Sequence, residues 1–548
     1  MKHFAQTAYF IIALFCFFPI EKYYGQASLQ EIVRFDLTGS IAGISATDPG
    51  GDINGDGRPD LVFGYWTIGD VDADIYIYHS IPDSNAVPDQ ILTNPPGISG
   101  GFGYSLAYAG DLNGDGINDL VVGIKYYGWI HQGAIAIYWG GATLSAQPDV
   151  FIDGYPFGYT QSWDLCFGQK LITHCDINGD GINDLLVYAE GPQYENWGNV
   201  YVFLGGTPFS TTPALHIRGS NIYEYLGRFM DSGDINGDGF DDIILCSQRR
   251  TPPPPDATEG YVYDLKIYSG GVNLSNVPVY ESQVASYASE SSISSMIANG
   301  DLNGDGKSDI TMQHNSALGR KLKIMYGQPA WAGLTSFEVD FNLSDLFWLR
   351  SYCDLIDDQY SDLLFYSQFI PGTTENYDCI CVLEQTSPTL DLNIDFLNSD
   401  YSETHYYGSS SYVLGDMNQD GYNEFLILAF NHSSTSLPSY VKILSQSYTA
   451  IDDDVLPTSE FRMDCYPNPF NGAMTISLTK DAGKHKISDL KIFDVKGRLI
   501  FEVDLPGIDS FTWNGNDRLG NPVSSGVYIL QATDSSNKKH LARIVRMK

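Results

Sequence analysis

Basic residues are scarce in this chain: 30 Lys and Arg stand against 67 Asp and Glu in 548 residues, a formal net charge of −37. That deficit excludes an electrostatic grip on nucleic acid or anionic lipid and makes divalent cations the natural counterions. The shortage is uneven. From residue 457 onward, 13 basic residues meet 10 acidic ones, a net of +3, whereas the part before it carries −40. The chain therefore holds two regions of different chemistry.

Cysteine is also sparse. The seven beyond residue 27 (Cys166, Cys175, Cys246, Cys353, Cys379, Cys381 and Cys465) show no regular spacing, which argues against a disulfide framework. Cys246 ends an apolar run and Cys379 alternates with Cys381, as buried strand thiols do. Long apolar runs are missing after the first, Ala8 to Ile20, which follows Lys2 and precedes Gly25-Gln26-Ala27. Thirteen residues are too few to span a bilayer, and the small residues behind them suit cleavage, so 1–27 is expected to be a signal peptide and no transmembrane segment is expected. Enzyme signatures are absent: no G-x-S-x-G, H-E-x-x-H, C-x-x-C or G-x-G-x-x-G occurs. Gly306-Lys307-Ser308 imitates the end of a phosphate loop, but Asp301 stands where its first glycine belongs. The histidines are scattered singly and suit surface or packing roles.

What is present is 73 aromatic residues, 55 Gly and 26 Pro, a folded, turn-rich, mainly β composition. Through it runs a nine-residue pattern, D-x-N-x-D-G-x-x-[DE]. It occurs at Asp52, Asn54, Asp56 and Asp60; at Asp111, Asn113, Asp115 and Asp119; at Asp176, Asn178, Asp180 and Asp184. Further copies lie at Asp234, Asn236, Asp238 and Asp242; at Asp301, Asn303, Asp305 and Asp309; and at Asp416, Asn418, Asp420 and Glu424. A degenerate copy at Asp354, Asp358 and Asp362 has Ile356 for a ligand and Gln359 for the turn glycine. The starts recur at 53 to 67 residues, and the damaged copy keeps the period, so the repeat is architectural.

Positions one, three and five put oxygen donors around one point, the glycine permits the turn, the seventh carbonyl faces inward and the ninth carboxylate closes the shell, a hard cage suited to Ca²⁺. The carbonyl position is held by Arg58, Ile117, Ile182, Phe240, Lys307 and Tyr422; only the backbone is needed there, so their side chains are expected to be neutral to binding. About six structural calcium sites are expected. Each loop follows a first strand and runs into an apolar second one such as Leu-Val-Phe-Gly or Ile-Ile-Leu-Cys, with a third and a fourth after it, so each repeat holds four strands. Seven such repeats predict an all-β, seven-bladed propeller over 28–448.

Here the sequence resembles the FG-GAP and related bacterial propeller repeats, the fold of integrin α-chain heads. Phe102-Gly103, Phe167-Gly168 and, less closely, Leu226-Gly227 match the FG element; repeats one, five and six lack it, and the Gly-Ala-Pro element is missing. Integrin-like partner specificity is not carried over by this resemblance. Because the last repeat stops after its third strand, Val441–Leu444, Ile32–Leu37 is predicted to supply the fourth strand of the last blade.

After a linker at 449–461, strand-like runs at Met474–Leu478, Leu490–Asp494, Leu499–Val503, Ser510–Trp513 and Val527–Gln531 predict a small Ig-like β-sandwich over 462–548. Tyr466-Pro-Asn-Pro-Phe470, Trp513-Asn-Gly515, Ser525-Gly-Val-Tyr528 and the basic end Arg543–Lys548 resemble the C-terminal sorting domain of the bacterial type IX secretion system. The resemblance implies a Bacteroidetes-type bacterium, Sec export followed by passage through the type IX machinery, and a secreted or surface-attached product.

The loops joining second to third strands are expected to lie opposite the acidic loops. In the first three blades they carry Tyr65 and Trp66; Tyr126, Tyr127 and Trp129; and Tyr194 and Trp197, aromatic faces that suit a sugar ring or a protein partner. Blade packing is the competing role for each ring. Arg249-Arg250 and the prolines that follow form a stiff projecting loop. The expected function is non-catalytic recognition in adhesion by a calcium-stabilised propeller. The alternatives are a carbohydrate-active lyase or hydrolase using carboxylates such as Glu190 and Glu195, and a purely structural envelope protein.

Overall fold

The computed structural model describes residues 27–37, 41–46, 51–67, 70–79, 87–155, 165–191, 196–251, 260–286, 292–316, 319–340, 347–353, 360–367, 379–384, 393–399, 405–417, 423–431 and 439–448, and, toward the C-terminus, 462–466, 473–480, 483–485, 487–494, 499–508, 510–518, 520–523, 526–534 and 539–546. Ala27–Ser447 forms one compact unit, and Tyr448–Lys548 belongs to another.

The first unit is a seven-bladed β-propeller of four-stranded antiparallel blades. Six blades use consecutive strands, counted outward from the ring axis; blade two, for instance, runs Phe102–Tyr108, Leu120–Ile124, Ala134–Tyr138 and Val150–Asp153. The second and third strands are covered on both sides by neighbouring blades, which is why they read as unbroken apolar runs rather than alternating ones. Leu120–Ile124, Ala134–Tyr138 and Asn199–Phe203 are buried at every residue. The core accordingly lies between blades. One cluster joins Ile53, Val62 and Ile75 of blade one to Phe102, Val122 and Ala136 of blade two.

The last blade places Ala27–Asp36 outside Tyr440–Tyr448, Glu424–Asn431 and His405–Gly415, as the unfinished last repeat requires. Leu37 N–H donates to Ser439 O at 2.7 Å, and the Arg34 guanidinium lies 3.8 Å from the Tyr440 ring centre. Val33, Leu37, Leu414, Leu426 and Ile443 share a core cluster with Leu61 and Phe63 of blade one, which closes the ring.

The FG pairs wedge one blade against the next. Phe102, Phe167 and Leu226 are buried, and the glycines behind them take φ of 77°, 85° and 87°. A Cβ on Gly168 would stand 2.5 Å from Ala134 O, so this position needs glycine for space as well as for backbone hand.

The second unit contains two four-stranded sheets, one built from Arg462–Tyr466, Met474–Lys480, Gly483–His485 and Ser510–Trp513, the other from Ile487–Asp494, Leu499–Ile508, Gly526–Asp534 and Lys539–Arg546. Met474, Ile492, Trp513, Leu530 and Ile544 form the core of this sandwich. Three strands were not anticipated, among them Lys539–Arg546, whose basic residues hid an alternating pattern.

Candidate metal loops and ligand face

In five acidic loops the first aspartate organises the turn. Asp52 Oδ1 accepts from the N–H groups of Gly55 (2.7 Å) and Asp56 (3.0 Å), and Oδ2 from Gly57 (2.6 Å). Asp111, Asp176, Asp234 and Asp301 repeat the same three bonds. Both glycines of the first Asn-Gly-Asp-Gly segment have positive φ, 78° and 86°, which brings these amides round one carboxylate. Asp416 and Glu424 are described in the last loop; Asn418, Asp420 and Tyr422 lie outside the described residues, as do Asp354, Ile356, Asp358 and Gln359 of the degenerate copy.

The ninth carboxylate sits beneath the loop. Asp60, Asp119, Asp184, Asp242, Asp309 and Glu424 are all 0 % exposed. One oxygen of each accepts the amide of position two, at 2.7–3.1 Å. The other oxygen in blades two to five accepts a glycine amide after the third strand: Gly140, Gly205 and Gly327 at 2.8 Å and Gly270 at 3.0 Å. In blade one His79 Nδ1 fills that place, 3.1 Å from Asp60. Burial raises the carboxyl pKa of Asp60 to about 6 and those of Asp119, Asp184, Asp242 and Asp309 to about 7, and charges at positions one and five add to the rise in the last four.

Those crowded carboxylates, the Asn amide oxygen and the seventh carbonyl form an oxygen-only donor set, and a divalent cation would relieve their repulsion. Among the described residues, no three Asp, Glu, His or Cys side chains gather closely enough to hold an ion by themselves, so the neutral oxygens are essential to any such site. The donor chemistry fits Ca²⁺ on those terms.

The loops also grip one another, which the repeat pattern did not reveal. The eighth residue donates its amide to the first carbonyl of the preceding loop: Asn118 to Asp52, Asp241 to Asp176, Ser308 to Asp234 and Ser361 to Asp301, at 2.8–3.2 Å. Turn amides after the third strand reach the second carbonyl of the preceding loop, Gly141 to Ile53 and Gly206 to Leu112 for example. The seventh side chain caps the fourth glycine of that loop, as Ile117 does over Gly55, Ile182 over Gly114 and Phe240 over Gly179. The seventh position is thus more than a carbonyl. At Lys307 the ammonium also pairs with Asp305, a proposed ligand, at 2.9 Å, so this side chain is not neutral to its loop.

On the opposite face the candidate aromatics separate. Tyr65 and Trp66 belong to the strand Leu61–Thr67 rather than to a loop, because that strand continues through Gly64. Tyr65 stacks on Tyr76 at 5.7 Å and Trp66 on Tyr104 at 5.5 Å, so both are packing residues. Tyr127 packs edge-on against Phe151 in the core. Tyr126 meets His131 edge-on and, with Tyr104, surrounds the Lys125 ammonium, which bonds Tyr104 Oη at 3.1 Å. Trp129 is 73 % exposed, and the Arg218 guanidinium covers the half-buried Trp197 at 4.1 Å. Tyr194 and Glu195 lie outside the described residues; Glu190 is half-buried.

Non-glycine residues with positive φ concentrate here: His131, Cys166, Asn196, Tyr223 and Tyr225, at 42–60°. Cys166 N–H bonds His131 O across the junction of blades two and three, and Tyr225 N–H bonds Asn196 O across the next. Within the segment 219–228 only Leu226-Gly227 carried a sequence signal. Buried Glu224 anchors it by accepting from Ser220, Asn221 and Lys266, and it presents exposed Ile222 and Arg228 beside half-buried Tyr223 and Tyr225.

Residues 52–122 and 176–245 match the FG-GAP-like repeat, and residues 464–546 match the secretion system C-terminal sorting domain. Integrin alpha-5 of Xenopus laevis is 29 % identical over 252 residues, 44 % of this chain and 22 % of that protein. Phosphatidylinositol-glycan-specific phospholipase D of Homo sapiens is 32 % identical over 156 residues, 27 % of this chain and 18 % of that protein. The chain thus spans less than a quarter of the length of these relatives. Among solved structures, PorZ, a surface component of the type IX secretion system of Porphyromonas gingivalis, aligns over 94 % of this chain and 60 % of its own with a TM-score of 0.38 and 13 % identity. No helix among the described residues is long and apolar enough to cross a membrane. The chain is an extracellular or surface β-propeller protein with integrin-like FG-GAP repeats, and it carries a C-terminal sorting domain for type IX secretion.

Proposed function

We propose that this protein is a calcium-stabilised recognition module, sent out through a Sec signal at 1–27 and then the type IX machinery, whose face opposite the acidic loops binds an extracellular glycan or protein in adhesion. The observation that carries the reading is the concentration of left-handed non-glycine residues in the loops of blades two to four, beside Trp129, Trp197, Tyr223 and Tyr225. Such backbone costs of order 1–3 kcal/mol per residue and clusters where a surface is held ready for a ligand. An exposed indole on blade two and, on blade three, an indole covered by a guanidinium offer stacking and hydrogen bonding, as sugar recognition requires. Calcium would act through the fold: each cation would hold together the oxygens of one loop, and that loop bonds to its neighbours through backbone amides, on the face away from the ligand.

Glycan-array binding by the full chain in calcium tests this. Saturable binding with intact sugars, lost in Trp129→Ala and Trp197→Ala, is expected. Cleaved sugars would favour a carbohydrate-active enzyme instead, and silence on glycan and protein arrays would leave the envelope-structural role.

A further inference from the structure

Three cations of blade four lie around the segment 219–228, and two of them are committed to acids. Arg249 Nη2 lies 3.2 Å from Asp264, and Lys266 Nζ lies 2.8 Å from Glu224. The third differs. Among the described residues Arg228 has no carboxylate partner: its Nη1 donates to the neutral Gln248 Oε1 at 2.8 Å, and its guanidinium lies 5.8 Å from the Tyr225 ring centre. It is exposed, in a part of the chain whose net charge is −40.

Neutral groups hold this guanidinium in place. Gln248 N–H donates to Glu224 O at 2.9 Å, and buried Glu224 accepts in turn from the N–H groups of Ser220 (2.6 Å) and Asn221 (2.8 Å). Arg228 N–H bonds Tyr225 O at 3.0 Å, and Leu226 N–H bonds Trp197 O at 3.0 Å, which sets the group beside the guanidinium–indole pair of Arg218 and Trp197. An arginine fixed by neutral partners keeps its charge and its planar fork of N–H donors for an incoming anion, and much of its side-chain entropy is already lost. With its oxygen taken by Arg228, Gln248 adds amide N–H donors beside the fork. Donors gathered in this way select a carboxylate or a sulfate.

The surroundings suit a glycan as its carrier. Exposed Ile222 and half-buried Tyr223 and Tyr225 offer apolar surface to the C–H side of a sugar ring, and exposed Asn221 offers an amide to its hydroxyls. An extended peptide adds to an open strand edge, and here the second strand of blade four, Asp242–Thr251, is already paired on both sides, with Phe229–Gly233 and Gly260–Tyr268.

We infer that the ligand of this face is an acidic glycan, its uronate carboxylate or sulfate seated on Arg228 and Gln248, which rests on the recognition role proposed for the face and narrows it to anionic sugars. Binding of the full chain in calcium to an array of uronate-bearing and sulfated oligosaccharides, each beside its carboxyl-reduced or desulfated counterpart, tests it. Acidic members should bind saturably, with their neutral counterparts about tenfold or more weaker, and affinity should fall as salt rises. Uronate-only and sulfate-only members tell the two anions apart. Arg228→Gln, which keeps N–H donors and removes the charge, should weaken acidic binding by about tenfold or more with an unchanged melting profile, and Arg228→Lys should recover only part of it. Neutral members bound as well as acidic ones, with binding lost in Trp129→Ala and kept in Arg228→Gln, would overturn the inference and leave the recognition role standing. Arg228-dependent binding of poly-L-glutamate in place of the sugars would assign the donors to an acidic protein, and binding of neither sugars nor polyglutamate would overturn the inference together with the glycan reading.

Discussion

Replacing Asp119 by alanine removes the acceptor of a buried amide, Leu112 N–H at 2.9 Å, and of a half-buried one, Gly140 N–H at 2.8 Å. An orphaned buried donor costs about 1–3 kcal/mol, so the pair is worth about 2–6 kcal/mol while the wild-type carboxyl is neutral. Ionisation changes that balance. Without a cation, burial first, and then Asp115 and Asp111, raise the Asp119 pKa from 3.8 to about 7 against the pull of its two amides. Between about pH 4 and pH 7 the ion-free fold therefore keeps a proton that the unfolded chain has released, and stability falls as pH rises. The full rise corresponds to roughly 4 kcal/mol. In calcium-depleted protein, wild type should exceed Asp119→Ala by about 2–6 kcal/mol below pH 4, where the carboxyl is neutral folded and unfolded, by roughly 1.6 kcal/mol less at pH 5, and the gap should shrink toward zero by pH 8. Calcium should reopen it at pH 8, because the cation offsets the carboxylate repulsion and binds the native state. Urea unfolding followed by tryptophan fluorescence reads all these conditions, and titrations common to both proteins cancel. A gap independent of pH, or one that calcium leaves unchanged, would refute the reasoning.

Gly168→Ala should cost about 2–4 kcal/mol, because the new Cβ meets Ala134 O in a left-handed position, whereas Gly181→Ala, at φ 81° with open space around it, should cost only about 1–2 kcal/mol; comparative urea unfolding measures both. Asp72 Oδ1 accepts the amides of Gly100, Gly101 and Phe102 at 2.7–3.0 Å and so clamps the start of blade two onto blade one. Asp72→Ala should lose about 2–5 kcal/mol, and amide exchange should quicken at 100–102 first. Lys307→Ala frees Asp305 from its ammonium and should tighten cation binding at the fifth loop, read by terbium luminescence titration; unchanged affinity would show that the pair does not compete with the ion.

The ring was legible because its markers are chemically obligatory. A left-handed glycine, an aspartate gathering three amides and a buried apolar strand recur together, so even the copy that lost Asn and Gly could be placed by spacing. Ile32–Leu37 could be paired because the last repeat was one strand short. The links between loops were hidden because they use backbone groups and the side chains of variable positions seven and eight, such as Ile117 and Asn118, which no fixed pattern marks. Tyr65 and Trp66 were misplaced because Gly64 reads as a strand end, while here it packs close to Ala73 within the sheet. The stretch 219–225, just before Leu226-Gly227, escaped notice because left-handed tyrosines have no compositional signature; their backbone is imposed by contacts such as those of Glu224.

The outer strand of the last blade comes from the far end of the propeller's own chain. Were Ala27–Asp36 cut away or displaced, Tyr440–Tyr448 would present a row of unpaired backbone donors and acceptors and an uncovered apolar strip where Val33 had packed. The same strand from a neighbouring molecule matches that edge, so each opened ring can lend its strand to the next. Head-to-tail polymers built by strand exchange are the characteristic failure of such a closure, and a disulfide between this strand and its neighbour would be the direct means of preventing them.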